Sequence, residues 1–262
     1  MLQNYLKLAL RSLRNNRLYS FLNIAGLAVG LAAGILVLLW VNDEFRYNRF
    51  HSNLPGIHLI LQNQTQGGVT YTFESTPGPL AASLLAEMPE VKRAVRTSWR
   101  DQHTLTFGET SAHERGLYAE PDFFRIFTFP TVKGDPVAAL QDAGSVVITE
   151  RTAQKFFGND DPIGKILRHN GQNDLKVGAV VRDVPAGSTL RFDVVLPFRI
   201  YEQMNLDWIN SNWGNNSLPT WVELQPGADV AALNRKLENY IQGKNPDAAA
   251  HIFAYPLSEW RL

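Results

Sequence analysis

The hydrophobic pattern divides the chain into one long apolar run and a much longer mixed region. From Leu18 to Val41 the sequence LYSFLNIAGLAVGLAAGILVLLWV runs 24 residues without a charge. As a helix rising ~1.5 Å per residue it measures roughly 36 Å, enough to cross a hydrocarbon core of about 30 Å. A cleaved secretory signal is the competing reading, because basic residues precede the run. An apolar signal core is about 7 to 15 residues long, and here Ala32, Ala33 and Gly34 are followed by seven further apolar residues. Cleavage there would leave an apolar new terminus, so a retained transmembrane helix over 18–41 is predicted. Upstream, MLQNYLKLALRSLRNN places Lys7, Arg11 and Arg14 on one helical face and Leu2, Leu6, Ala9 and Leu13 on the other. That pattern predicts an amphipathic helix over 1–17 lying in the membrane interface, with a plain basic juxtamembrane segment as the simpler alternative.

Beyond the run, NDEFRYNRFHSN keeps a helical character, so the membrane helix is expected to continue as a stalk over 42–56 until Pro55 and Gly56 stop it. The domain over 57–262 alternates short elements. Strands are expected at IHLILQ, KRAVRTSW, HTLTFG, SAHERGLYAE, SVVIT, KILRH, DLKVGAVVRDV, RFDVVLPF, TWVELQP and AHIFAYPL. Helices are expected at TPGPLAASLLAEMPEV, PDFFRIFTF, ERTAQKFF and ADVAALNRKLENYIQG. Strands and helices mix without βαβ alternation, which predicts an α+β sandwich.

Charge adds a direction. The net formal charge is zero, but Lys7, Arg11, Arg14 and Arg17 precede the span with no acid, leaving 21 basic and 25 acidic residues for the remainder. With Asp43 and Glu44 directly after the span, the positive-inside rule places the N-terminus in the cytoplasm and the large domain outside. A mildly acidic domain argues against nucleic-acid binding. The absence of cysteine removes disulfides and thiolate metal sites and fits an oxidising compartment.

Candidate chemistry is sparse. The stretch FFGNDDPIGKIL carries a Gly-Lys pair but five residues separate Gly158 from Gly164, and Ile166 rather than Ser or Thr follows Lys165, so it is not a phosphate-binding loop. It reads as connector chemistry: Gly158 ends a helix, Gly164 enters a strand, and Asn170 and Gly171 make a hairpin. No pair of the six histidines has zinc-ligand spacing, and Ser188 lacks the second Gly of a nucleophile elbow. The acid pairs Asp43/Glu44 and Asp160/Asp161 point apart. No catalytic residue, metal site or cofactor is therefore expected. Trp208, Trp213 and Trp221 fall in an Asn-rich stretch read as a long exposed loop, its tryptophans either covering a core edge or gripping a partner. Gly26, Gly30 and Gly34 recur every four residues and offer a smooth face for helix packing.

Taken together, NYLKLALRSLRNNRLYSFLNIAGLAVGLAAGILVLLWVNDEFRYNRFH, VVITERTAQKFFGNDDPIGKIL, LKVGAVVRDVPAGSTLRFDVVLPF and PLSEWRL resemble the N-terminal part of ABC-transporter permeases of the MacB/FtsX type, in the long form of Bacteroidetes-like bacteria. Asp43, Glu44, Tyr47, Phe50 and His51 match the family's stalk signature, and Arg182, Asp183, Val184 and Pro185 match its core-domain turn. Asn48 stands where an Asp is more usual, and His58 and Leu59 where Tyr and Arg are expected. The resemblance implies a MacB-like periplasmic core domain on a bacterial inner-membrane protein, with ATP bound by a separate cytoplasmic ABC ATPase. It also implies a second permease copy or homologue, membrane lipid and a periplasmic adaptor as partners, and a peptide, antibiotic or lipoprotein as cargo. Family members have three further spans after the core domain, so the chain is expected to be the N-terminal part of such a permease. The alternative is a single-pass sensor or binding protein with an outer ligand-recognition domain.

Overall fold

A computed structural model describes residues 2–205 and 208–261. The side chains of Leu2, Gln3, Leu6, Ala9, Leu10, Ser12 and Asn205 lie outside the described set, so the apolar face assigned to Leu2, Leu6 and Ala9 does too. The chain forms two units, Met1–Arg46 and Tyr47–Leu262.

The first unit holds two helices, α1 (Leu2–Asn15) and α2 (Arg17–Arg46), broken at Asn16. Among the described residues α2 alone is long and apolar enough to cross a membrane. Its leucines and isoleucines, with Val29 and Val37, are exposed on all sides, as expected of a helix whose solvent is hydrocarbon. The expected helical stalk over 42–56 is corrected here: α2 ends at Arg46, and the unit boundary falls ten residues before the expected one at 56/57. Asn48 at φ 58° is the physical reason, because a left-handed residue cannot continue a right-handed helix.

The second unit runs, in chain order, β1 (Ile57–Gln66), β2 (Val69–Phe73), β3 (Thr76–Pro77), α3 (Leu80–Glu87), β4 (Val91–Arg96), β5 (Asp101–Phe107), β6 (Thr110–Ala119) and α4 (Phe123–Ile126). It continues with β7 (Thr131–Gly134), α5 (Pro136–Gln141), β8 (Ser145–Thr149), α6 (Glu150–Phe157), β9 (Ile166–His169), β10 (Asn173–Val181) and β11 (Val194–Pro197). It closes with α7 (Phe198–Asn205), α8 (Trp208–Ser211), β12 (Asn216–Leu218), β13 (Thr220–Leu224), α9 (Val230–Leu237), α10 (Tyr240–Lys244) and β14 (Ala250–Pro256).

Two large sheets carry this unit, beside a two-stranded antiparallel pair of β3 and β12. The first is antiparallel, ordered β14-β1-β13-β4, with β2 paired to the far half of β1. The second is ordered β7-β10-β8-β11-β6-β5-β9, and β9 pairs β10 as well as β5, so six of its strands close into a barrel with β7 outside. Alternation explains the layers. Val146 and Ile148 of β8 point into the barrel with Leu105, Leu167, Leu175 and Val177, while Val147 points outward. Both faces of β8 are buried, hence its unbroken apolar sequence. The outward face packs on the first sheet through Leu59, Val95 and Trp221, with Phe123, Phe127 and Phe192 filling the space between. Each such aromatic stabilises the fold by about 1.5–3 kcal/mol as an upper estimate. A third cluster, including Leu80, Leu84, Leu233 and Ile241, covers the other face of the first sheet with α3, α9 and α10.

The connector after α6 folds as its sequence reads. Gly158 at φ 59° ends the helix with its N–H on the Gln154 carbonyl. Lys165 pairs with Asp160 at 2.7 Å and lies 5.3 Å from the Phe157 ring centre, so it is engaged locally. Asn170 and Gly171, both left-handed, turn β9 into β10. The stretch around the three tryptophans is not the exposed loop expected. Trp221 is buried in β13, Trp208 packs on the barrel core from α8, and Trp213 meets Tyr240 edge-on at 6.2 Å.

Candidate transmission site

The segment Tyr47–His51, directly after the apolar helix in sequence, is built into the second unit rather than standing free of it. Asn48 is 1% exposed and anchors the segment. Its N–H donates to the Gly187 carbonyl at 2.7 Å, and its Nδ2 to Thr189 Oγ1 at 2.8 Å and the Leu257 carbonyl at 3.2 Å. Its Oδ1 accepts from the Thr189 N–H at 2.8 Å. Asn tolerates the left-handed backbone this turn needs, and its amide supplies a donor and an acceptor at once. Tyr47 Oη donates to the Ser188 carbonyl at 3.1 Å, and the Arg261 guanidinium lies 4.7 Å from the Tyr47 ring centre. The beginning of the unit, the 187–189 loop and the end of the chain therefore meet at one point.

Phe50 and His51 secure the next turn. His51 is buried, with its ring 4.0 Å from Phe50, 5.5 Å from Phe127 and 5.1 Å from Phe129. Burial among these rings lowers its pKa to about 4, and its Nδ1 has no hydrogen-bond partner. His58 is held below its ordinary value by burial, opposed by the Gly56 carbonyl and Glu259.

A second constellation ties the two sheets together. Arg96, at the end of β4, donates from its N–H, Nε and Nη2 to the Glu120 carboxylate just past β6, at 2.7, 3.0 and 2.6 Å. Its Nη2 also reaches Glu202 of α7 at 3.0 Å, and its Nη1 reaches Asn210 of α8 at 2.7 Å and the Gly78 carbonyl at 3.3 Å. The guanidinium lies 4.6 Å from the Phe198 ring centre. Only a planar, five-donor group satisfies so many acceptors from one place.

Beside the Asn48 turn lies a cavity of about 230 Å³, lined among others by Tyr47, Glu74, Trp99, Arg100, Trp221 and Trp260. Burial raises the Glu74 carboxyl above its ordinary range, opposed by Arg100. The Trp221 indole N–H is buried without an acceptor.

The residues anticipated from sequence fall into two groups. Tyr47, Phe50 and His51 converge on the Asn48 turn, whereas Asp43 and Glu44 lie on the last turns of α2 in the other unit. Lys7, Arg11 and Arg14 are exposed on α1, and Arg17 at the start of α2 reaches back to the Arg14 carbonyl at 3.4 Å. Gly26, Gly30 and Gly34 lie on α2, and a Cβ added at any of them would meet nothing within 4 Å. In the RDVP turn, Asp183 accepts from the Arg151 N–H at 2.9 Å, capping the first turn of α6. In the sequence Asn48 stands out only as a departure from an expected Asp. Arg96, Glu120, Glu202 and Asn210 carry no local signal, since up to 114 residues separate the paired groups. Among the described residues, no group of three or more His, Cys, Asp or Glu is placed to hold a metal ion.

A family profile described as MacB-like periplasmic core domain matches residues 20–240. Among solved structures, the chain is similar to a domain described as that of a permease protein from Porphyromonas gingivalis, at 25% identity and a TM-score of 0.67, covering 79% of this chain and 92% of that one. The periplasmic region of MacB from Actinobacillus actinomycetemcomitans shares the fold at 13% identity and a TM-score of 0.56, over 79% of this chain and 92% of that one. So does the extracellular domain of the noncanonic ABC-type transporter YknZ from Gram-positive bacteria, at 13% identity and a TM-score of 0.55, over 75% and 99%. No curated protein matches the sequence.

Proposed function

We propose, from the premise that this chain belongs to the family of MacB-like periplasmic core domains, that it is the N-terminal part of an ABC-transporter permease whose outer domain is moved by a partner ATPase. In this reading the N-terminus and its basic helix lie at the cytoplasmic face of a bacterial inner membrane, α2 crosses it, and ATP is bound and hydrolysed by a separate cytoplasmic subunit. A second permease copy, lipid around α2 and a periplasmic adaptor complete the assembly. The cargo is a peptide, an antibiotic or a lipoprotein.

One observation carries the reading: Asn48 fastens the segment that follows the apolar helix to both the 187–189 loop and Leu257. A displacement applied to that segment is passed to the folded unit through short, directional bonds instead of being absorbed by a flexible linker. Arg96 then joins the first sheet to the barrel, so the unit responds as one body.

The test begins with the native protein purified from its own membranes in mild detergent, followed by intact masses and an ATPase assay. An associated ATP-hydrolysing subunit, with a change in tryptophan fluorescence when ATP is added, is the expected result. Trp99, Trp221 and Trp260 around the cavity are the reporters. Recovery of the chain without ATPase activity would turn attention to the ligand-sensing alternative, which the same cavity favours.

A further inference from the structure

The barrel closes through a short seam between β5 and β9. Strand β9 pairs with β10 over four residues and with β5 through Leu105↔His169 and Thr106↔Arg168, extended by the Asn170 N–H on the Thr104 carbonyl at 2.8 Å and the Thr104 N–H on Asn170 Oδ1 at 2.9 Å. At that seam His103 of β5 and His169 of β9 face each other inside the barrel, His103 Nδ1 3.0 Å from His169 Nε2. Both rings are buried, at 4% and 1% exposure, and His169 Nδ1 has no hydrogen-bond partner. We propose that this histidine pair is a proton-sensitive latch: neutral and sharing one hydrogen it holds β9 against β5, and on acidification it releases the seam.

The chemistry follows from counting hydrogens. Two neutral imidazoles offer one donor and one acceptor to their common bond. A first added proton places a charge in an apolar interior, and a second sets N–H against N–H and abolishes the bond. Among the described residues no hydrogen bond or ion pair joins either ring to a carboxylate. On β5, Asp101 favours protonation of His103 through its charge, and the Gly116 carbonyl of β6 does so as a hydrogen-bond acceptor, both outweighed by burial. On β6, Glu114 stands opposite His103 but is paired with Lys155 of α6. Tyr118 of β6 meets both rings edge-on, at 5.3 and 6.3 Å, with Tyr201 of α7 behind it. Tyr118 is pushed up to about 12 by burial and stays neutral. On β9 and β10, Arg168 and Asp174 are opposed to each other, one position out of phase with His169. Burial, reinforced for His169 by the neighbouring ring, holds both histidines below their ordinary value, His169 at about 4.

The direction of the effect is fixed. An opened seam gives each histidine back its ordinary pKa near 6.5, so the open state binds more protons below about pH 6.5, down to about pH 4 for His169, and opening becomes up to tenfold more favourable per pH unit for each proton taken up. Latching is complete above pH 6.5. Strands β8 and β11, in the middle of the sheet, carry no such pair and serve as the internal reference.

Hydrogen–deuterium exchange on the full chain in detergent, at pH 7.5, 6.5, 5.5 and 4.5 and corrected for the intrinsic exchange rate, tests this. The expected result is a selective loss of protection, tenfold or more, in residues 101–107 and 166–169 between pH 6.5 and 4.5, with β8 and β11 unchanged. His103→Gln combined with His169→Gln should remove the pH step. Unchanged protection at the seam, loss shared equally by all strands, or a step that survives the double substitution would each overturn the proposal. Should the double variant not fold, ¹⁵N-histidine spectra of the unsubstituted chain decide. Two neutral rings at pH 7 that titrate together with seam opening support the latch, and a ring already charged at pH 7 or titrating without seam opening overturns it.

Discussion

Two regions of the folded unit do comparable work by opposite means. The turn at Asn48 is neutral, made of a carboxamide and backbone groups, and it joins loops and chain ends. The joint at Arg96 is ionic, made of one guanidinium and two carboxylates, and it joins sheets. A neutral hydrogen-bonded turn is insensitive to pH and salt and yields in increments of roughly 1 kcal/mol per bond. A mostly buried ion cluster gives little net stability as a whole, yet is costly to break from one side. The comparison separates two kinds of joint: the Asn48 turn fixes the start of the unit by several small neutral bonds, and the Arg96 joint holds the two sheets through one cation.

Breaking the joint should have the largest effect. Arg96→Ala leaves Glu120 and Glu202 facing each other without their cation and is expected to cost about 3–5 kcal/mol, read as a shift in denaturant midpoint of the full chain. Arg96→Lys, which keeps the charge but not the fork, should fall between; equal stability of the Lys and native forms would show that charge alone suffices. Next comes acid. His51, buried at a pKa of about 4, is protonated more readily in the unfolded chain, so the folded state keeps its full stability above about pH 6.5 and loses it as pH falls toward 4, by up to ~1.4 kcal/mol per unit. His51→Phe should flatten that part of the pH–stability curve, and a curve of unchanged slope would mean that another group dominates.

At Asn48 two substitutions separate conformation from bonding. Asn48→Ala loses the side-chain bonds and strains the left-handed backbone, for about 2–4 kcal/mol, whereas Asn48→Gly loses the same bonds but relieves roughly 1 kcal/mol of strain. If Gly and Ala variants unfold together, the backbone at residue 48 relaxes and the turn is less fixed than its geometry indicates. On the membrane side, Gly30→Leu should weaken recovery of partner subunits while leaving the unfolding of Tyr47–Leu262 unchanged, and undiminished co-purification would remove Gly30 from the packing face. Smallest is the surface pair of Lys236 and Glu90, where Lys236→Ala should shift stability by no more than about 1 kcal/mol and vanish in high salt.

What can be read from the sequence follows the range of the forces involved. The apolar helix, strand β8 with its following helix, the Gly158 cap and the Asn170–Gly171 turn all rest on neighbours within a few residues, and all appear where their patterns point. Other local signals gain their meaning only beside the structure. Gly67 and Gly68, both left-handed, make the β1–β2 hairpin, and Asp135 before Pro136 starts α5, whose first N–H groups it caps at 2.9 and 3.2 Å. The stalk differs for another reason: a helical pattern is overridden by tertiary hydrogen bonds to residues about 140 and 209 positions away. The Arg96 joint and the His103–His169 pair are of that long-range kind throughout. Nothing in the spacing of Arg96, Glu120 and Glu202, or of two histidines 66 residues apart, distinguishes them from surface charges and packing residues until strand order brings them together.

The meeting of Tyr47 with Arg261 also bears on how the unit holds itself. The two residues lie 214 positions apart, so their contact, with the bond from Asn48 to the Leu257 carbonyl, closes a loop of nearly the whole unit. A contact of that span cannot form before the elements between its partners are in place, so this corner depends on the whole unit rather than on its neighbours in sequence.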